Sequence, residues 1–230
     1  AYGHLRPPEA PLPPQEGYGH WAATYEMPNG LTHLDEMAVR QLSPRNFSRL
    51  LDAGCGTGLR MPSKSAGLTI GVDLTAEMLS IGKARGETRL INADIRALPV
   101  RDGWFDLVWC RLVLSHLADI GTAYGELART SAAGATLIVT DLYAEAGRDA
   151  LHTSFADQSG TTRFIEVFRR AAVDHARIAA DAGFELRETS YKVIGPEIRR
   201  FFEDAGELSR YERHKGLRIL VAMRFVKRGS

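Results

Sequence analysis

Residues 50–58 have the sequence Leu50-Leu51-Asp52-Ala53-Gly54-Cys55-Gly56-Thr57-Gly58. The apolar residues that open this stretch are typical of a buried strand, and three glycines follow with the spacing G-x-G-x-G. Glycine lets the backbone come close to a ligand, and the start of a helix after such a loop exposes amide donors. The stretch therefore predicts a strand, a ligand-binding loop and a helix start, which is an α/β arrangement.

Strand and helix patterns alternate on both sides of this loop, which is typical of a parallel sheet covered by helices. Five strands are predicted in the central part, at 48–53, 68–73, 89–92, 104–110 and 135–141. Two late strands, 184–194 and 217–226, are expected to pair antiparallel at one sheet edge. The spacing of apolar residues predicts helices over 31–42, 75–81, 117–128 and 164–182, and from Pro196 onward.

The first 30 residues differ from the rest, because six of the ten prolines lie within residues 1–28. Proline resists helix and sheet, so we expect an extended arm. Its second half carries Tyr18, Trp21 and Tyr25, which are expected to pack on the domain or over a ligand. We divide the chain into a Pro-rich arm with an aromatic lid (1–30) and one domain (31–230), in which 143–182 is expected to be a substrate-side insertion.

Charge and composition restrict the classes of function. Lys and Arg number 29 against 28 Asp and Glu, so no strong field attracts nucleic acid or an anionic membrane, and the expected partner is a small molecule. No apolar run approaches the roughly 20 residues that span a bilayer. Two cysteines and the lack of metal-ligand spacing indicate a cytoplasmic protein without a metal. The oligomeric state stays open.

Two carboxylates follow predicted strands at informative positions. Asp73 closes the second strand 19 residues after Gly54, where a carboxylate can accept hydrogen bonds from ribose hydroxyls. Asp94 follows the third strand, where it can accept from the exocyclic amine of adenine while Ile95 covers the ring. A dinucleotide fingerprint requires a glycine at position 59, and Leu59 stands there, which disfavours NAD and FAD.

With these motifs the chain resembles the class I methyltransferases that use S-adenosylmethionine, in particular the small-molecule group with the ubiquinone-pathway and malonyl-carrier-protein enzymes. The resemblance covers roughly residues 18–184. It implies a Rossmann-like fold with a seven-stranded, mostly parallel sheet, helices on both faces and an antiparallel last strand. The stretches that carry it, besides the glycine loop, are 21–25 (WAATY), 71–79 (GVDLTAEML), 92–94 (NAD), 105–108 (FDLV) and 114–117 (LSHL).

The resemblance implies S-adenosylmethionine as cofactor and S-adenosylhomocysteine as product. The loop glycines then approach the methionine part, Asp73 holds the ribose, Asp94 meets adenine and Met78 flanks the ring. The stretch between Gly58 and Asp73 departs from the family because it is short and contains Pro62, so the first helix should be truncated. The predicted cofactor-binding residues are Tyr18, Trp21, Tyr25, Asp52, Gly54, Cys55, Gly56, Asp73, Leu74, Met78, Asp94, Ile95, Cys110 and Leu112.

Methyl transfer from a sulfonium is an in-line displacement with a neutral leaving group, so the protein mainly aligns the acceptor and excludes water. A base is needed only for a protonated acceptor, and His116 and His152 are the candidates. Arg111 follows the fourth strand and is a candidate for holding an anionic acceptor. Each has a structural alternative: a helix cap or core position for His116, an irregular segment for His152 and an ordinary ion pair for Arg111.

The function predicted from the sequence is methyl transfer to a small organic acceptor at oxygen, nitrogen or carbon. One alternative keeps the fold and the cofactor but uses them for a cyclisation or a regulatory binding role. A nicotinamide oxidoreductase and a methyltransferase acting on nucleic acid are both disfavoured, by Leu59 and by the balanced charge respectively.

Overall fold

The structure of the chain is a computed structural model that describes residues 10–62, 67–143, 153–157 and 159–229. Nine strands are assigned in these ranges: β1 Arg49–Ala53, β2 Leu68–Asp73, β3 Leu90–Asn92, β4 Phe105–Arg111, β5 Ser131–Leu142, β6 Thr153–Ala156, β7 Thr162–Ile165, β8 Phe184–Val193 and β9 Arg218–Lys227. The α-helices are α1 Pro14–Trp21, α2 Gly30–Leu42, α3 Ala76–Ala84, α4 Gly121–Thr130, α5 Ala172–Asp181, α6 Arg199–Asp204 and α7 Leu208–His214. Short 3₁₀ turns occupy Ala22–Thr24, Leu114–His116 and Pro196–Ile198.

Seven strands form one sheet in the order β3-β2-β1-β4-β5-β9-β8, and β6 and β7 form a separate antiparallel hairpin. Strands β1 to β5 pair in parallel, whereas β9 runs antiparallel to both of its neighbours. The predicted fold class is therefore confirmed. Because parallel strands end at the same edge, the segments that follow Ala53, Asp73, Asn92 and Arg111 meet on one side of the molecule.

The sheet is buried on both faces, as expected for strands that alternate their side chains. Leu51 and Val108 face one core cluster together with Tyr124 of α4, and Leu50 and Leu107 face the other, which α2 and α7 cover. Complete burial of a leucine stabilises the fold by about 1.5–3 kcal/mol. The two cores hold the strand ends in a rigid frame, on which the irregular segments at the sheet edge are built.

The arm differs from the predicted extended conformation. Pro14 to Trp21 form helix α1, because proline at the first helical position lacks only an N–H that the helix would leave unused. Before this helix, the Leu12 amide donates to the carbonyl of Phe164 at 2.9 Å, and the Glu166 amide donates to the carbonyl of Leu12 at 3.0 Å. The prolines therefore set the start of a helix that is anchored to the hairpin.

The predicted helix over 164–182 is wrong in its first half. Residues 162–165 form β7, whose partner β6 precedes it, and α5 begins only at Ala172. Over a strand of only four residues, the alternation of apolar residues typical of a strand cannot be distinguished from the spacing typical of a helix. Within 143–182, α5 packs on β8 and α4 as an ordinary sheet-covering helix.

The bounds of two predicted helices shift. The helix predicted over 75–81 is α3, which begins at Ala76; Thr75 precedes it in an extended conformation, and its side chain makes no capping hydrogen bond. Residues Leu117 and Ile120 lie before α4, which starts at Gly121 where the Asp119 carboxylate accepts from the backbone. The helix predicted over 31–42 is α2, on which the apolar residue Met37 is 41% exposed. After the glycine loop no helix is assigned through Pro62, and residues 63–66 lie outside the described ranges.

Candidate active site

A cavity of about 330 Å³ lies at the edge of the sheet where the parallel strands end. This volume is within the range of sites for small molecules. Its walls are the arm, the glycine loop, the segments after β2, β3 and β4, and the segment after β7. The residues of the cavity wall that the sequence predicted are Tyr18, Tyr25, Gly54, Gly56, Asp73, Leu74, Met78, Asp94, Ile95, Arg111, Leu112 and His116.

The glycine loop forms the floor of the cavity, and a side chain at its glycine positions would clash with neighbouring residues or occupy the cavity. Gly54 has φ +86°, and a Cβ there would lie 2.1 Å from the side chain of Val113, so only glycine fits. A Cβ on Gly56, where φ is +59°, would lie 3.3 Å from the ring of Tyr25. The amides of Gly54 and Cys55 both donate to the carbonyl of Val72, which ties the loop to β2. The floor is thus rigid as well as open.

Leu112 is the one described residue other than glycine with a positive φ, at 58°. The left-handed region costs such a side chain roughly 1–3 kcal/mol. Its amide donates to the carbonyl of Thr140 at 2.8 Å, which holds the backbone in place. This strain turns the chain at the end of β4 and places Leu112 on the cavity wall.

Asp73 lies at the end of β2 with both carboxylate oxygens engaged by backbone amides. Gly56 donates to Oδ2 and Thr75 donates to Oδ1, each at 2.8 Å. Burial raises the pKa of Asp73, while these hydrogen bonds act in the opposite direction. Each carboxylate oxygen can accept a further hydrogen bond, so the group is oriented by the loop and can still accept hydroxyl protons from the cavity.

Asp94 is held more tightly than the sequence indicated. Arg96 forms a bidentate ion pair with its carboxylate, in which Nη2 lies 2.6 Å from Oδ2 and Nε 3.0 Å from Oδ1. This pair, with the Arg96 amide, lowers the pKa of Asp94. The buried side chains of Ile95 and Met78 line the same end of the cavity. An acceptor group and apolar surfaces for a planar ring therefore occur together.

His116 links the arm to the sheet edge. Its Nε2 lies 2.9 Å from the Tyr18 hydroxyl, and its Nδ1 lies 3.0 Å from the carbonyl oxygen of Glu166. A carbonyl can only accept, so Nδ1 carries the proton and the Nε2 lone pair accepts from Tyr18. Burial lowers the pKa of His116, which favours this neutral form.

The other arm aromatics separate into two groups. Tyr25 lines the cavity, whereas Trp21 does not: its ring stacks on Phe155 of β6 at 5.2 Å and on Tyr18 at 5.6 Å. Trp21 therefore fastens the arm to the hairpin rather than facing the cavity. Burial raises the pKa of the Tyr18 and Tyr25 hydroxyls, so both are neutral hydrogen-bonding groups at physiological pH.

Asp35 and Arg60 are charged residues that sequence reasoning missed, and they contact the cavity-lining residues Arg111 and Tyr25. Asp35 is fully buried on α2, and its Oδ2 accepts from Nε and Nη2 of Arg111, at 3.0 and 2.6 Å, and from Nη1 of Arg60 at 2.9 Å. Its Oδ1 accepts from the Thr140 hydroxyl at 2.6 Å, and Arg60 also donates to the Tyr25 hydroxyl at 3.2 Å. An acid on the apolar face of a predicted helix is the signal that could have indicated a buried partner.

Four of the predicted residues lie elsewhere. Cys110 points into the core with no exposed surface, since alternate residues of β4 face that core. Cys55 packs beneath Gly71 and borders a second, smaller cavity. Asp52 is buried at the end of β1, and Trp21 stacks behind the wall. His152 lies outside the described residues. Across the described ranges, no group of three or more His, Cys, Asp or Glu side chains could hold a metal ion.

Comparison with known proteins identifies the family. A model described as a methyltransferase domain matches residues 51–139. The malonyl-[acyl-carrier protein] O-methyltransferase of Enterobacter lignolyticus is 31% identical over 179 residues, which cover 75% of this chain and 70% of that protein. This chain belongs to the class I S-adenosylmethionine-dependent methyltransferases. The Erwinia billingiae protein of the same name is 33% identical to this methyltransferase over 141 residues, which cover 60% of the chain and 55% of that protein.

Among solved structures, a Haloferax volcanii protein in complex with the methyltransferase activator Trm112 has a TM-score of 0.69 to this methyltransferase. The sequences are 19% identical over 94% of this chain and 98% of the other, so this likeness concerns the fold alone. None of the helices in the described ranges is both long and apolar enough to span a membrane.

The cavity of the methyltransferase fits its cofactor. The glycine floor would be filled by any Cβ at Gly54, Asp73 presents free lone pairs, and Ile95 and Met78 offer apolar surface beside Asp94. These features suit the methionine part, the ribose and the adenine in that order along the wall. S-adenosylmethionine is a methyl donor, so a second molecule must approach the same cavity.

Proposed function

We propose that the chain transfers a methyl group from S-adenosylmethionine to a small organic acceptor. The observation that carries this is a single cavity wall on which the glycine loop, Asp73 and Asp94 follow one another, closed by Tyr18 and Tyr25 of the arm. In-line displacement at a sulfonium needs alignment and a dry cavity more than a strong base. An arm that covers the end of a sheet supplies both.

The proposed contacts to the cofactor follow the family pattern. Asp73 accepts from the ribose hydroxyls, and Asp94 accepts from the adenine amine beside Met78 and Ile95. Gly54 and Leu112 lie against the methionine part. Arg96 orients the Asp94 carboxylate: Oδ1 accepts from the Arg96 amide and Nε, and Oδ2 accepts from Nη2 and shares Nε, so Oδ2 is the oxygen proposed to accept from the adenine amine.

His116 is the candidate base for an acceptor that arrives protonated. Its neutral imidazole carries the Nε2 lone pair toward the cavity side, where it accepts from the Tyr18 hydroxyl. Proton removal from an acceptor can then pass through Tyr18 or directly to Nε2. His152 remains a candidate whose position is not described, and Arg111 remains a candidate for binding an anion.

We propose that the arm (1–30) acts as a lid on the domain (31–230). Within 143–182, the part proposed to face the acceptor is the hairpin β6–β7 with the segment that follows it, because Glu166 and Phe168 border the cavity.

Two free, buried cysteines favour a cytoplasmic location. Near-zero net charge favours a small acceptor over nucleic acid.

The relatives are named as O-methyltransferases of malonyl-[acyl-carrier protein], which makes oxygen the first atom to test as methyl acceptor. The experiment is incubation of the full chain with S-adenosylmethionine labelled in the methyl group, together with panels of carboxylic acids, phenols and amines. Label in a small product supports the proposal, and the matched control is the Asp73→Ala variant.

Two results would overturn it. Binding of S-adenosylhomocysteine with no labelled product from any panel or cell extract would favour the non-methylating role. Binding of NAD without binding of S-adenosylhomocysteine would favour an oxidoreductase.

A further inference from the structure

One side of the cavity is built from two largely irregular segments, the post-β4 segment (112–118) and the post-β7 segment (166–170). Apart from the 3₁₀ turn Leu114–His116, neither has a helix or a strand. Carbonyls in such segments need partners other than a helix or a sheet, so those partners decide the shape of this side. The residues of the two segments that line the cavity are Leu112, Val113, His116, Leu117, Ala118, Glu166 and Phe168.

One side chain, that of Arg170, supplies partners to both segments. Its Nη1 donates to the carbonyls of Leu114 and Phe168, at 3.2 and 3.0 Å. Its Nη2 donates to the carbonyls of Leu117 and Ala118, at 2.6 and 2.5 Å. The two Nη atoms of a guanidinium carry four N–H groups, and these four hydrogen bonds use all of them. A single guanidinium therefore joins the two segments.

Two further hydrogen bonds run between the same segments. Nδ1 of His116 donates to the carbonyl of Glu166 at 3.0 Å, and the Phe168 amide donates to the carbonyl of Ser115 at 2.6 Å. Partners therefore rise along one segment as they fall along the other, with Arg170 last in the series. The backbone of Arg170 is itself fixed by a bridge to Tyr143, directly after β5.

We propose that Arg170 is a positioning residue for methyl transfer, which holds His116 and Phe168 in place on the acceptor side of the cavity. This inference rests on the proposed function. Arg170 is not among the residues of the cavity wall, so it acts through the segments that it joins. A displacement of about 1 Å at reacting groups can lower a rate by about 100-fold, so the hold on these segments affects turnover.

The cofactor side of the cavity is held by other bonds. The amides of Gly54 and Cys55 donate to the carbonyl of Val72, and the Asp73 carboxylate accepts from the loop. None of these bonds involves the two segments that Arg170 joins. A change at Arg170 is therefore expected to affect the acceptor side and to leave cofactor binding intact.

The test uses Arg170→Lys in the full chain. Lysine keeps the positive charge and the aliphatic stem, but its three N–H donors lie on one nitrogen and cannot reproduce the four bonds of the guanidinium. The matched control is Arg228→Lys. Arg228 also donates to backbone carbonyls, those of Ala180 and Phe184, but it lies at the opposite edge of the sheet, where β9 ends beside the start of β5.

The tautomer of His116 gives a readout that needs no acceptor. ¹⁵N NMR of protein labelled in histidine should show the Nδ1–H tautomer of His116 in the wild type, with the signal assigned by its loss in His116→Ala. Arg170→Lys should show a mixture of both tautomers, because the Glu166 carbonyl is no longer held beside Nδ1. Arg228→Lys should give the wild-type spectrum.

Turnover and cofactor binding complete the test. With the acceptor that the wild type methylates fastest in the panels, Arg170→Lys should lower kcat by about 10-fold to 100-fold. Its dissociation constant for S-adenosylhomocysteine, measured by calorimetry, should stay within about twofold of the wild-type value. Arg228→Lys should change neither quantity.

An unchanged His116 tautomer or an unchanged kcat in Arg170→Lys would overturn the inference and leave the proposed function standing. A loss of S-adenosylhomocysteine affinity as large as the loss of kcat would also overturn it, because Arg170 would then support the whole fold. Wild-type protein that binds S-adenosylhomocysteine but methylates no acceptor would contradict the proposed function. The tautomer would still decide whether Arg170 positions His116.

Discussion

The hydroxyl of Tyr18 lies 2.9 Å from Nε2 of His116, so the arm and the segment after β4 are joined by one hydrogen bond at the cavity wall. The opposite ring nitrogen is bound to the Glu166 carbonyl, which fixes the tautomer. The imidazole therefore joins three separate parts of the chain. Its Nε2 lone pair accepts the hydrogen bond from Tyr18 of the arm.

His116→Ala is expected to lower kcat by about 10²–10⁴-fold if the acceptor must lose a proton in the transition state. Burial lowers the pKa of His116, so the imidazole is neutral above its ordinary value of 6.5 and becomes protonated only at lower pH. The wild-type kcat profile should fall below pH 6.5, and this limb should be missing in the variant. Normal turnover with a lower melting temperature would assign His116 to the lid alone.

Asp73→Ala should weaken S-adenosylhomocysteine binding by about 1–3 kcal/mol, because a charged acceptor of hydrogen bonds is lost. The variant also removes the acceptor of the Gly56 and Thr75 amides, so 5′-methylthioadenosine should lose affinity to the same extent. Calorimetry on both ligands measures this, with the exposed Asp181→Ala as control. Unchanged affinity would remove Asp73 from the site.

Gly17→Ala should loosen the lid. A Cβ at Gly17 would lie 2.6 Å from Cγ1 of the buried Ile165 on β7, so α1 and the hairpin must move apart. The control is Gly19→Ala on the same helix, whose Cβ would meet the Glu77 carboxyl at an ordinary 3.6 Å. Both gain the same helix propensity, so only Gly17→Ala should speed limited proteolysis within residues 10–25. Equal cleavage rates would contradict a packed lid.

Asp141→Asn should stabilise the fold at high pH. Burial raises the pKa of Asp141 to about 7, and its Oδ2 lies 3.5 Å from Nε2 of His175 with neither atom hydrogen-bonded to a described residue. The folded state therefore keeps a proton that the unfolded state releases near pH 3.8, so wild-type stability falls as the pH rises from about 4 to 7 and is constant above that.

Urea unfolding at pH 8.5 should show Asp141→Asn more stable than wild type by about 1–3 kcal/mol, because the charge no longer has to be buried. The difference should shrink as the pH falls toward 4. Exposed Asp181→Asn should show no such trend. A variant that is less stable than wild type at pH 8.5 would indicate that the ionised pair with His175 is stabilising.

Most of the fold and of the cavity wall could be predicted from local signals. The strand before the glycine loop, the acid that ends β2 and the antiparallel pairing of β8 with β9 all depend on periodicity and spacing within short segments. The arm and the region after β5 could not be predicted in this way. Helix α1 and the hairpin β6–β7 stabilise each other although about 150 residues of sequence separate them. Leu12 finds its hydrogen bonds on Phe164 and Glu166 only when the sheet has brought them together.

The sequence by itself determined the parallel sheet, the glycine loop and the acids at the strand ends, because each is a property of neighbouring residues. Only the tertiary structure decided which polar groups share a partner. Asp35 and Arg111 are 76 residues apart, yet they form the ion pair that Arg60 joins. Charge pairing acts through space and leaves no periodic trace in the chain, so these ion pairs became visible only once the sheet was assembled.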